Sequence, residues 1–432
     1  MVAQSIIFCI ALFARLISAF VWRVTPAADA LVYRDLAMSI ASNGVVSIPA
    51  FMSFPTSDHP VYPFFLSVFY AVFNGSHDAV LFAQAVLGGF VCLLIFKTAA
   101  EFFNPKVAVI AAAIAAVYPV FVRVPAFLLT ENLFMLLFLG SVLMLARFMR
   151  TERFHYLVIS AICMGASILT RSVVLLFIPF AAIVVYWIFV RSRGLRTAVV
   201  YSGLYITLCV VCILPWSVRN YIVSGGSIIP VTDRGEWGIY LSFCPYQGKI
   251  FGIRSSDDPV IREAMTISSY DHRKKFLVDA TCNFVRSNPW QVLKIEMLKI
   301  LYLWSPFDWE ILGNGQGRYN FGYMFIIPFC FAGLYYMVRN WISIYALFFL
   351  PIVYFQLLHV IYFALPRFRM PFEPFLIIAG SYAIRSLYEK SRNKQIFLIA
   401  LGIYAAAQVS LFIFSSEVKI FFRVLCQALH VW

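Results

Sequence analysis

Residues 126–146 read AFLLTENLFMLLFLGSVLMLA, and Glu131 is the only ionisable residue among them. Arg147, Arg150 and Arg153 follow directly. About 20 apolar residues in a helix cross a hydrocarbon core roughly 30 Å thick, so this stretch predicts a transmembrane helix with a basic loop at one end. Similar apolar segments occupy residues 2–21, 79–99, 107–122, 156–170, 173–190, 198–215, 321–338, 341–363, 372–385 and 396–415. The pattern predicts an all-α polytopic membrane protein with about eleven transmembrane helices.

The composition supports a membrane protein and argues against a soluble one. Of 432 residues, 62% are hydrophobic and 12% are charged, about half of the charged fraction of a typical soluble domain. The net charge of +14 raises the question of nucleic acid, but such binders cluster their charge on a soluble face. Here the positive charge lies in short loops between apolar segments. We therefore predict one membrane unit over residues 1–432, with membrane lipids or a lipid phosphate as partner and no nucleic acid.

The basic loops predict the orientation of the chain. In a model with eleven spans, residues 147–153, 191–196 and 385–394 all fall on the side of the N-terminus, which is cytoplasmic by the positive-inside rule. The N-terminal segment is interrupted by Arg15 and lacks a cleavage site, which predicts a retained first span. The outer side then receives two long loops, residues 22–78 and 216–320. We expect the polar chemistry of the protein there.

Amphipathic helices are predicted in both outer loops. Residues 29–40 (DALVYRDLAMSI) place Val32, Leu36 and Ile40 on one helical face. A second helix is predicted to begin near Pro60 and to end near Asn74 and Gly75. In the second loop, an apolar and basic helix over residues 290–304 carries tryptophans suited to the membrane interface. Cys244 and Cys282 share this loop, which leaves a disulfide between them open.

Three acidic residues at the outer side are candidates for chemistry. Asp29 follows the first span and is either a general base for an acceptor hydroxyl or a helix N-cap. Asp58 precedes the second outer helix and has the same two interpretations. Glu131 lies at the outer end of an apolar segment, where a carboxylate is either functional or paired with Arg123 or Arg171. The three acids can gather around a divalent metal, but no ligand spacing requires one.

Six arginines lie at or near outer ends of spans, against the positive-inside bias. A bound lipid phosphate would compensate them, because the guanidinium group binds phosphate oxygens in a bidentate manner. Snorkelling to lipid headgroups is the alternative interpretation. These arginines are Arg15, Arg123, Arg171, Arg219, Arg367 and Arg369.

Several short motifs occur in an order that resembles a known family. They are Asp29-x-x-x-Tyr33, Asp58-His59-Pro60-Val61-Tyr62-Pro63, Thr130-Glu131, Leu169-Thr170-Arg171, Pro215-Trp216-x-x-Arg219 and Arg367-x-Arg369-x-Pro371. This order resembles the bacterial GT-C glycosyltransferases of the dolichyl-phosphate-mannose protein mannosyltransferase class, including the aminoarabinose and galacturonic acid lipid A transferases. Each motif is weak alone, and the resemblance extends over nearly the whole chain.

The resemblance implies a GT-C fold and an inverting transfer of a sugar from a polyprenyl-phosphate donor to a lipid, glycan or protein acceptor. It implies the periplasmic face of a bacterial inner membrane as the location and no required cofactor. By this resemblance Asp29 is the base, and Tyr33, Arg34, His59 and Tyr62 line the site. Several relatives have Asp-Glu at the first motif, whereas Ala30 follows Asp29 here. Any role of the second acid would then fall to Asp58 or Glu131, or be absent.

Two other functions stay open from the sequence. A flippase for lipid-linked sugars would also use arginines that line a cavity. It predicts charge along a path through the membrane, whereas the charged residues here collect at one face. A polysaccharide polymerase or ligase would use arginines and a histidine in a large outer loop, and His272 beside Arg273 keeps that interpretation open.

Overall fold

The computed structural model describes residues 2–21, 24–26, 29–42, 56, 58–244, 258–308 and 318–414. These residues form helices and one pair of two-residue strands. The helices are α1 (Val2–Val21), α2 (Asp29–Ser42), α3 (Val61–Val72), α4 (His77–Phe102), α5 (Pro105–Val117), α6 (Pro119–Arg123), α7 (Glu131–Thr151), α8 (Phe154–Thr170), α9 (Phe177–Ser192), α10 (Leu195–Val223), α11 (Gly235–Phe243), α12 (Pro259–Thr266), α13 (Tyr270–Ser287), α14 (Pro289–Leu303), α15 (Phe321–Arg339), α16 (Tyr345–Ile361), α17 (Glu373–Lys390) and α18 (Lys394–Ile413). Strands β1 (Phe307–Asp308) and β2 (Arg318–Tyr319) pair antiparallel. Short 3₁₀ turns cover Val124–Ala126, Ser172–Val174 and Pro366–Arg369.

The prediction of an all-α polytopic membrane protein is confirmed. Each of the predicted apolar segments coincides with a described helix. Within the described ranges, 7 helices are long and apolar enough to cross a membrane, and an eighth is the pair Pro105–Val117 and Pro119–Ala126, bent by 54°. The bend falls at Tyr118, because proline at the next position disfavours helical backbone there. Helices α8 and α16 are apolar but shorter, so the number of eleven spans stays a prediction.

The helices pack against one another around an apolar core. Helix α7 packs between α4 and α8, and α15 packs on α17. In hydrocarbon every backbone polar group must be satisfied within the protein, which is why each apolar segment is helical. Large rings from α7, α9 and α16 meet in the centre, with Phe138 edge-on to Phe177 at 5.0 Å and to Phe355 at 5.6 Å between centroids. This packing holds the ends of α7, α8 and α16 in fixed positions.

Arg15 lies inside the helical bundle, and its partners there are groups of the protein. It is fully buried in the middle of α1, where the helix contacts α4 and α5. Its guanidinium donates to the carbonyl oxygens of Ala11 at 2.9 Å, Ala116 at 3.1 Å and Ala115 at 3.3 Å. Helix α5 ends at Val117, so its last carbonyl groups have no donor inside the helix. Arg15 supplies that donor, which explains how it is tolerated there without a phosphate.

Helix α2 forms as predicted, but the face that it buries is different. Ala30, Ala37 and Ile40 are buried, whereas Val32 is 43% exposed and Leu36 only partly buried. The two alanines allow close packing against α3, and the larger aliphatic residues are left toward the surface. Hydrophobic periodicity alone overlooked this because it gives alanine little weight.

Helix α3 matches its prediction at both ends. It begins directly after Pro60 and is followed by Asn74 and Gly75, which have positive φ angles of 47° and 77°. Such angles end a helix, and glycine adopts them without steric cost.

The predicted outer loops, residues 22–78 and 216–320, are described only in part. The second contains α11 to α14, and α14 exposes Trp290 at 81% together with Leu293, Met297 and Leu301 along one face. This face agrees with the predicted helix at the membrane interface. Cys244 is buried, Cys282 is exposed, and both are free thiols. The disulfide that the sequence left open is therefore not formed.

Candidate functional site

A buried ion pair joins the start of α7 to the end of α8. Glu131 is the first residue of α7, and its Oε1 atom lies 2.7 Å from Nη1 of Arg171, the residue that follows α8. The side chains are 5% and 20% exposed. The hydroxyl of Thr130 lies 3.4 Å from the carboxylate and 3.4 Å from the guanidinium. Of the two partners that the sequence left open for Glu131, the structure places Arg171 beside it.

The ion pair borders a cavity of about 150 Å³, several times the roughly 30 Å³ that a water molecule occupies in the liquid. Arg367 also lines it and acts electrostatically on Glu131. The guanidinium groups of Arg171 and Arg367 both lie close to the Phe368 ring, 5.5 Å and 5.3 Å from its centroid. The full lining is Glu131, Arg171, Val173, Phe355, Leu358, His359, Tyr362, Phe363, Arg367, Phe368 and Pro371. The cavity thus combines two cations with an apolar wall.

Tyr33 lies where the outer helices meet this group. Burial is the main cause that raises the pKa of its phenol, and the carboxylate of Asp29 adds to it, with smaller effects from Glu131 and Asp58. The phenol therefore stays protonated and can donate a hydrogen bond. Its ring packs edge-on to Tyr62 at 5.3 Å, so two residues that the resemblance implied are brought together. Asp29 itself is exposed at the start of α2.

The hydroxyl of Tyr62 is already used within the protein. It donates to Oε1 of Gln84 at 2.8 Å. Gln84 in turn donates to the carbonyl oxygens of Pro125 at 3.2 Å and Phe127 at 3.0 Å. Tyr62 is fully buried and therefore fixes α3 against α4, with its hydroxyl engaged by Gln84.

Asp58 is buried, at 6% exposure, and does not cap α3, which has no side-chain cap bond. It lies 3.4 Å from Arg234 of the second outer segment. Burial raises the pKa of the Asp58 carboxyl, and Asp233 and Asp29 act in the same direction, whereas Arg234 opposes them. Asp58 thus links the two outer segments beside Tyr33.

His59 connects the first outer segment to the loop after α8. Its Nε2 atom accepts a hydrogen bond from the backbone N–H of Ser172 at 2.9 Å. Burial, with the nearby charges of Arg171 and Arg234, lowers the pKa of His59 to about 3. The ring is therefore neutral at physiological pH and does not add positive charge for a phosphate. Its proximity to the site agrees with the resemblance, but its position indicates a role in holding Arg171.

Three of the predicted arginines lie elsewhere. Arg34 pairs with Asp35 at 2.9 Å on the exposed face of α2. Arg123 ends α6, which packs on α1 and α5. Arg219 is 2% exposed, donates to Asn220 at 2.9 Å and lies over the Trp216 ring at 4.7 Å. None of these three arginines is among the residues that line the cavity.

Arg369 is the clearest departure from the predicted phosphate site. It is fully buried and pairs with Glu373 at 2.8 Å. It also donates to the carbonyl oxygens of Leu303 at 3.0 Å and Ser305 at 2.6 Å, and its guanidinium lies 3.8 Å from the Tyr323 ring centroid. These contacts fasten the Pro366–Arg369 turn to the end of α14. Arg369 thereby positions its neighbour Arg367 at the cavity instead of facing it.

The sequence interpretation missed Arg234, His359 and Tyr362. Arg234 belongs to the charged pair Asp233-Arg234 in the second outer segment, and this pair of charges marks the position in the sequence. His359 is an ionisable residue at the end of an apolar helix, which is a sign of function in a membrane protein. Arg273, which kept the polymerase interpretation open, pairs with Asp233 at 3.1 Å. In the part of the chain that the structure describes, no group of three or more His, Cys, Asp or Glu side chains is arranged to hold a metal ion.

Comparisons with known proteins agree with this architecture. Residues 55–218 match the family model of dolichyl-phosphate-mannose-protein mannosyltransferases. No curated protein sequence matches the chain significantly. The archaeal oligosaccharyltransferase AglB from Archaeoglobus fulgidus, in complex with an inhibitory peptide and a dolichol-phosphate, aligns with a TM-score of 0.57 at 13% identity over 94% of this chain and 54% of that one. Its apo form aligns with a TM-score of 0.58 at 14% identity over 94% and 55%.

This chain therefore spans about half the length of the AglB structures. ArnT from Cupriavidus metallidurans bound to undecaprenyl phosphate aligns more loosely, with a TM-score of 0.41 at 12% identity over 89% of this chain and 79% of that one. The alignments with AglB show the GT-C fold that the resemblance predicted, and the match to the mannosyltransferase family model is confined to residues 55–218.

Proposed function

We propose that the protein is a glycosyltransferase that moves a sugar from a polyprenyl phosphate to a hydroxyl group of a lipid, glycan or protein acceptor. The observation that carries this proposal is the cavity in which Arg171 and Arg367 lie beside Glu131, next to the carboxylates around Tyr33. Cations that line an apolar cavity suit a phosphate group attached to a lipid chain. Carboxylates nearby suit the acceptance of a proton from a hydroxyl.

The proposed carrier follows from the same groups and from the comparisons. The family model is named for enzymes of dolichyl-phosphate-mannose, and the AglB structure holds a dolichol-phosphate. We propose a polyprenyl phosphate for this chain, with Arg171 and Arg367 on its oxygens. Guanidinium groups placed where charge develops stabilise the leaving phosphate in the transition state. Glu131 would keep Arg171 in position and limit the positive charge of the cavity when the donor is absent.

Asp29 is the proposed base. The acceptor O–H would lose its proton to the Asp29 carboxylate while the acceptor oxygen attacks the anomeric carbon. The bond from that carbon to the phosphate oxygen breaks, its electron pair stays on the phosphate, and the sugar configuration inverts. Asp29 is exposed, which suits contact with an acceptor that arrives from outside the protein. Asp58 is buried beside Arg234, which suits a supporting role.

The proposed location is the outer, periplasmic face of a bacterial inner membrane. Glu131 begins α7 and Arg150 lies in its last turn, so the acidic site and the basic loops occupy opposite ends of the bundle. Arg147 and Arg150 pair there with Glu101. By the positive-inside rule the basic end is cytoplasmic. We also propose that the transfer reaction requires no metal ion.

The test is turnover by purified protein in nanodiscs, with undecaprenyl-phosphate hexoses and pentoses as donors and a membrane extract as the source of acceptor. We expect wild type to release undecaprenyl phosphate and Asp29→Asn to lose activity by about 100-fold or more. Asp35→Asn is the matched control, because Asp35 lies on the same helix and pairs with Arg34 on its exposed face. Treatment with EDTA should leave turnover unchanged.

Other outcomes would revise the proposal. Full activity of Asp29→Asn together with loss in Asp58→Asn would move the base to Asp58. Restoration of activity by Mg²⁺ or Mn²⁺ after EDTA would overturn the proposed independence of metal. Failure of folded wild type to release undecaprenyl phosphate from any donor would refute the transferase.

A further inference from the structure

Arg171 belongs to the short connection between α8 and α9. Its backbone N–H still donates to the carbonyl oxygen of Ser167 in α8 at 2.8 Å, whereas its φ and ψ angles of −152° and 112° are extended. The Ser172–Val174 3₁₀ turn follows directly. Helix α8 therefore fixes the backbone only as far as Arg171. The direction in which its side chain leaves the helix also depends on what holds the turn.

Two side chains from other elements hold this turn. Nε2 of His59 accepts from the backbone N–H of Ser172, as described above. From α16, the hydroxyl of Tyr354 donates to the carbonyl oxygen of Val173 at 2.6 Å. The same phenol has a backbone hydrogen bond with Phe177, where α9 begins. The tyrosine hydroxyl thus links the turn to the start of α9.

The position of this hydroxyl is determined by the packing of its ring. Tyr354 is 5% exposed. Its ring lies edge-on to Phe177 at 5.2 Å and to Phe355 at 5.4 Å between centroids. Phe355 and Val173 both line the cavity, whereas Tyr354 is not among the lining residues. The tyrosine therefore lies behind the cavity wall and acts on a bound ligand through the residues that it holds.

On the basis of the proposed function, we infer that Tyr354 is a positioning residue: its hydroxyl holds the turn after Arg171 so that the guanidinium reaches both Glu131 and the phosphate of the donor. Nη1 of Arg171 lies 2.7 Å from the Glu131 carboxylate. A turn that is free to shift would let the guanidinium follow the carboxylate and lose the phosphate. A misplacement of about 1 Å can lower a reaction rate by up to about 100-fold.

The role should appear in kcat more than in KM. A guanidinium group that stabilises the leaving phosphate acts where negative charge develops, which is in the transition state. Loss of an interaction that is made only in the transition state lowers kcat and leaves KM little changed. A merely structural contact has no reason to produce this division.

Two variants remove similar hydroxyl groups from different parts of the bundle. Tyr354→Phe removes the proposed contact and keeps the packed ring. Tyr404→Phe is the matched control, because the Tyr404 hydroxyl donates to the carbonyl oxygen of Met324 at 2.8 Å and likewise joins two helices, α18 and α15. Neither Tyr404 nor Met324 is among the residues that line the cavity. Both variants lose one neutral hydrogen bond, so both should unfold within about 4 °C of wild type.

The experiment measures release of undecaprenyl phosphate in nanodiscs from the donor that wild type uses. We expect Tyr354→Phe to lower kcat by about tenfold and to change KM by less than about twofold. Tyr404→Phe should keep both constants near those of wild type.

A second background tests whether the effect passes through the arginine. Arg171→Lys keeps the charge but replaces the planar guanidinium fork by a flexible ammonium group, which depends less on a fixed backbone direction. In that background, Tyr354→Phe should lower the remaining kcat by less than about twofold, because residues that act as one unit are not additive.

Four results would overturn the inference while leaving the proposed function intact. An unchanged kcat in folded Tyr354→Phe would deny the positioning role, and a rise in KM alone would place the effect in ground-state binding. Equal loss of kcat in Tyr354→Phe and Tyr404→Phe would indicate a general loosening of the bundle. The same loss in the Arg171→Lys background would show that Tyr354 acts independently of the arginine. By contrast, wild type that releases no undecaprenyl phosphate from any donor would refute the proposed function itself.

Discussion

Neutralising Glu131 should destabilise the fold, because its carboxylate is the partner of Arg171 at the cavity. The substitution Glu131→Gln keeps the size of the side chain and one hydrogen-bonding oxygen, but it removes the charge. The N–O distance of 2.7 Å and exposures of 5% and 20% make this a poorly solvated pair. Without the carboxylate, Arg171 and the nearby Arg367 repel each other across the cavity.

The expected loss of stability follows from the cost of leaving one member of a buried ion pair without its partner. Removal of one partner typically costs about 3–5 kcal/mol. Arg171 keeps part of its exposure, and the glutamine oxygen can still accept from it, so we expect the lower end, about 3 kcal/mol. For a chain of this length, that loss corresponds to a fall in Tm of roughly 3–6 °C.

The assay is dye-monitored thermal unfolding of purified variants in one detergent. Glu152→Gln is the matched control, because Glu152 pairs with Arg193 at 2.6 Å but with side chains 28% and 59% exposed. Exposed pairs contribute about 0–1 kcal/mol, so this variant should unfold close to wild type. Equal Tm values for Glu131→Gln and Glu152→Gln would refute the reasoning that the Glu131–Arg171 pair is energetically coupled.

Three further expectations concern packing and pH. Gly333→Ala should lower the stability by about 1–3 kcal/mol, because its Cβ would collide with the backbone oxygen of Ala379, whereas Gly203→Ala, in open space, should unfold like wild type or slightly higher. The pKa of His59 is lowered from 6.5 to about 3, so the folded protein favours the neutral imidazole. The stability that the neutral ring provides is complete above pH 6.5 and is lost as the pH falls toward 3. Between pH 7 and pH 4 the Tm should therefore fall less in His59→Gln than in wild type. Burial raises the pKa of Asp58 above 3.8, so the folded protein favours the protonated carboxyl. The stability that the protonated group provides is complete below pH 3.8 and is lost as the pH rises. The Tm of Asp58→Asn relative to wild type should therefore increase from pH 4 to pH 7, and a constant difference would contradict this.

The alternation of spans accounts for much of what could be predicted about the site. Helices α7 and α8 are joined by a short basic loop, so the start of one and the end of the other must lie at the same end of the bundle. This is why Arg171 could be named as a partner of Glu131 although 40 positions separate them along the chain. The same reasoning made Arg123 a second candidate partner of Glu131, and the sequence alone did not distinguish Arg123 from Arg171.

The choice among the arginines required the packed structure. Arg369 and Arg367 are two positions apart, yet one is fully buried against Glu373 and the other lines the cavity. A 3₁₀ turn directs their side chains differently, and the end of α14 supplies the carbonyl oxygens that hold Arg369. Arg15 shows the same limit, because its acceptors come from a helix 100 positions away.

The amino-acid sequence by itself determined the helical spans, the basic end of the bundle and the end at which acids and arginines collect. Those features depend on local composition, since hydrocarbon requires about 20 apolar residues for each crossing and excludes unpaired charge. Only the tertiary structure decided which charges meet, as in the contact of Asp58 with Arg234 and the grouping of Glu131, Arg171 and Arg367 around one cavity. Such contacts depend on how helices distant in the chain pack against one another, and the periodicity of a single segment does not specify that packing.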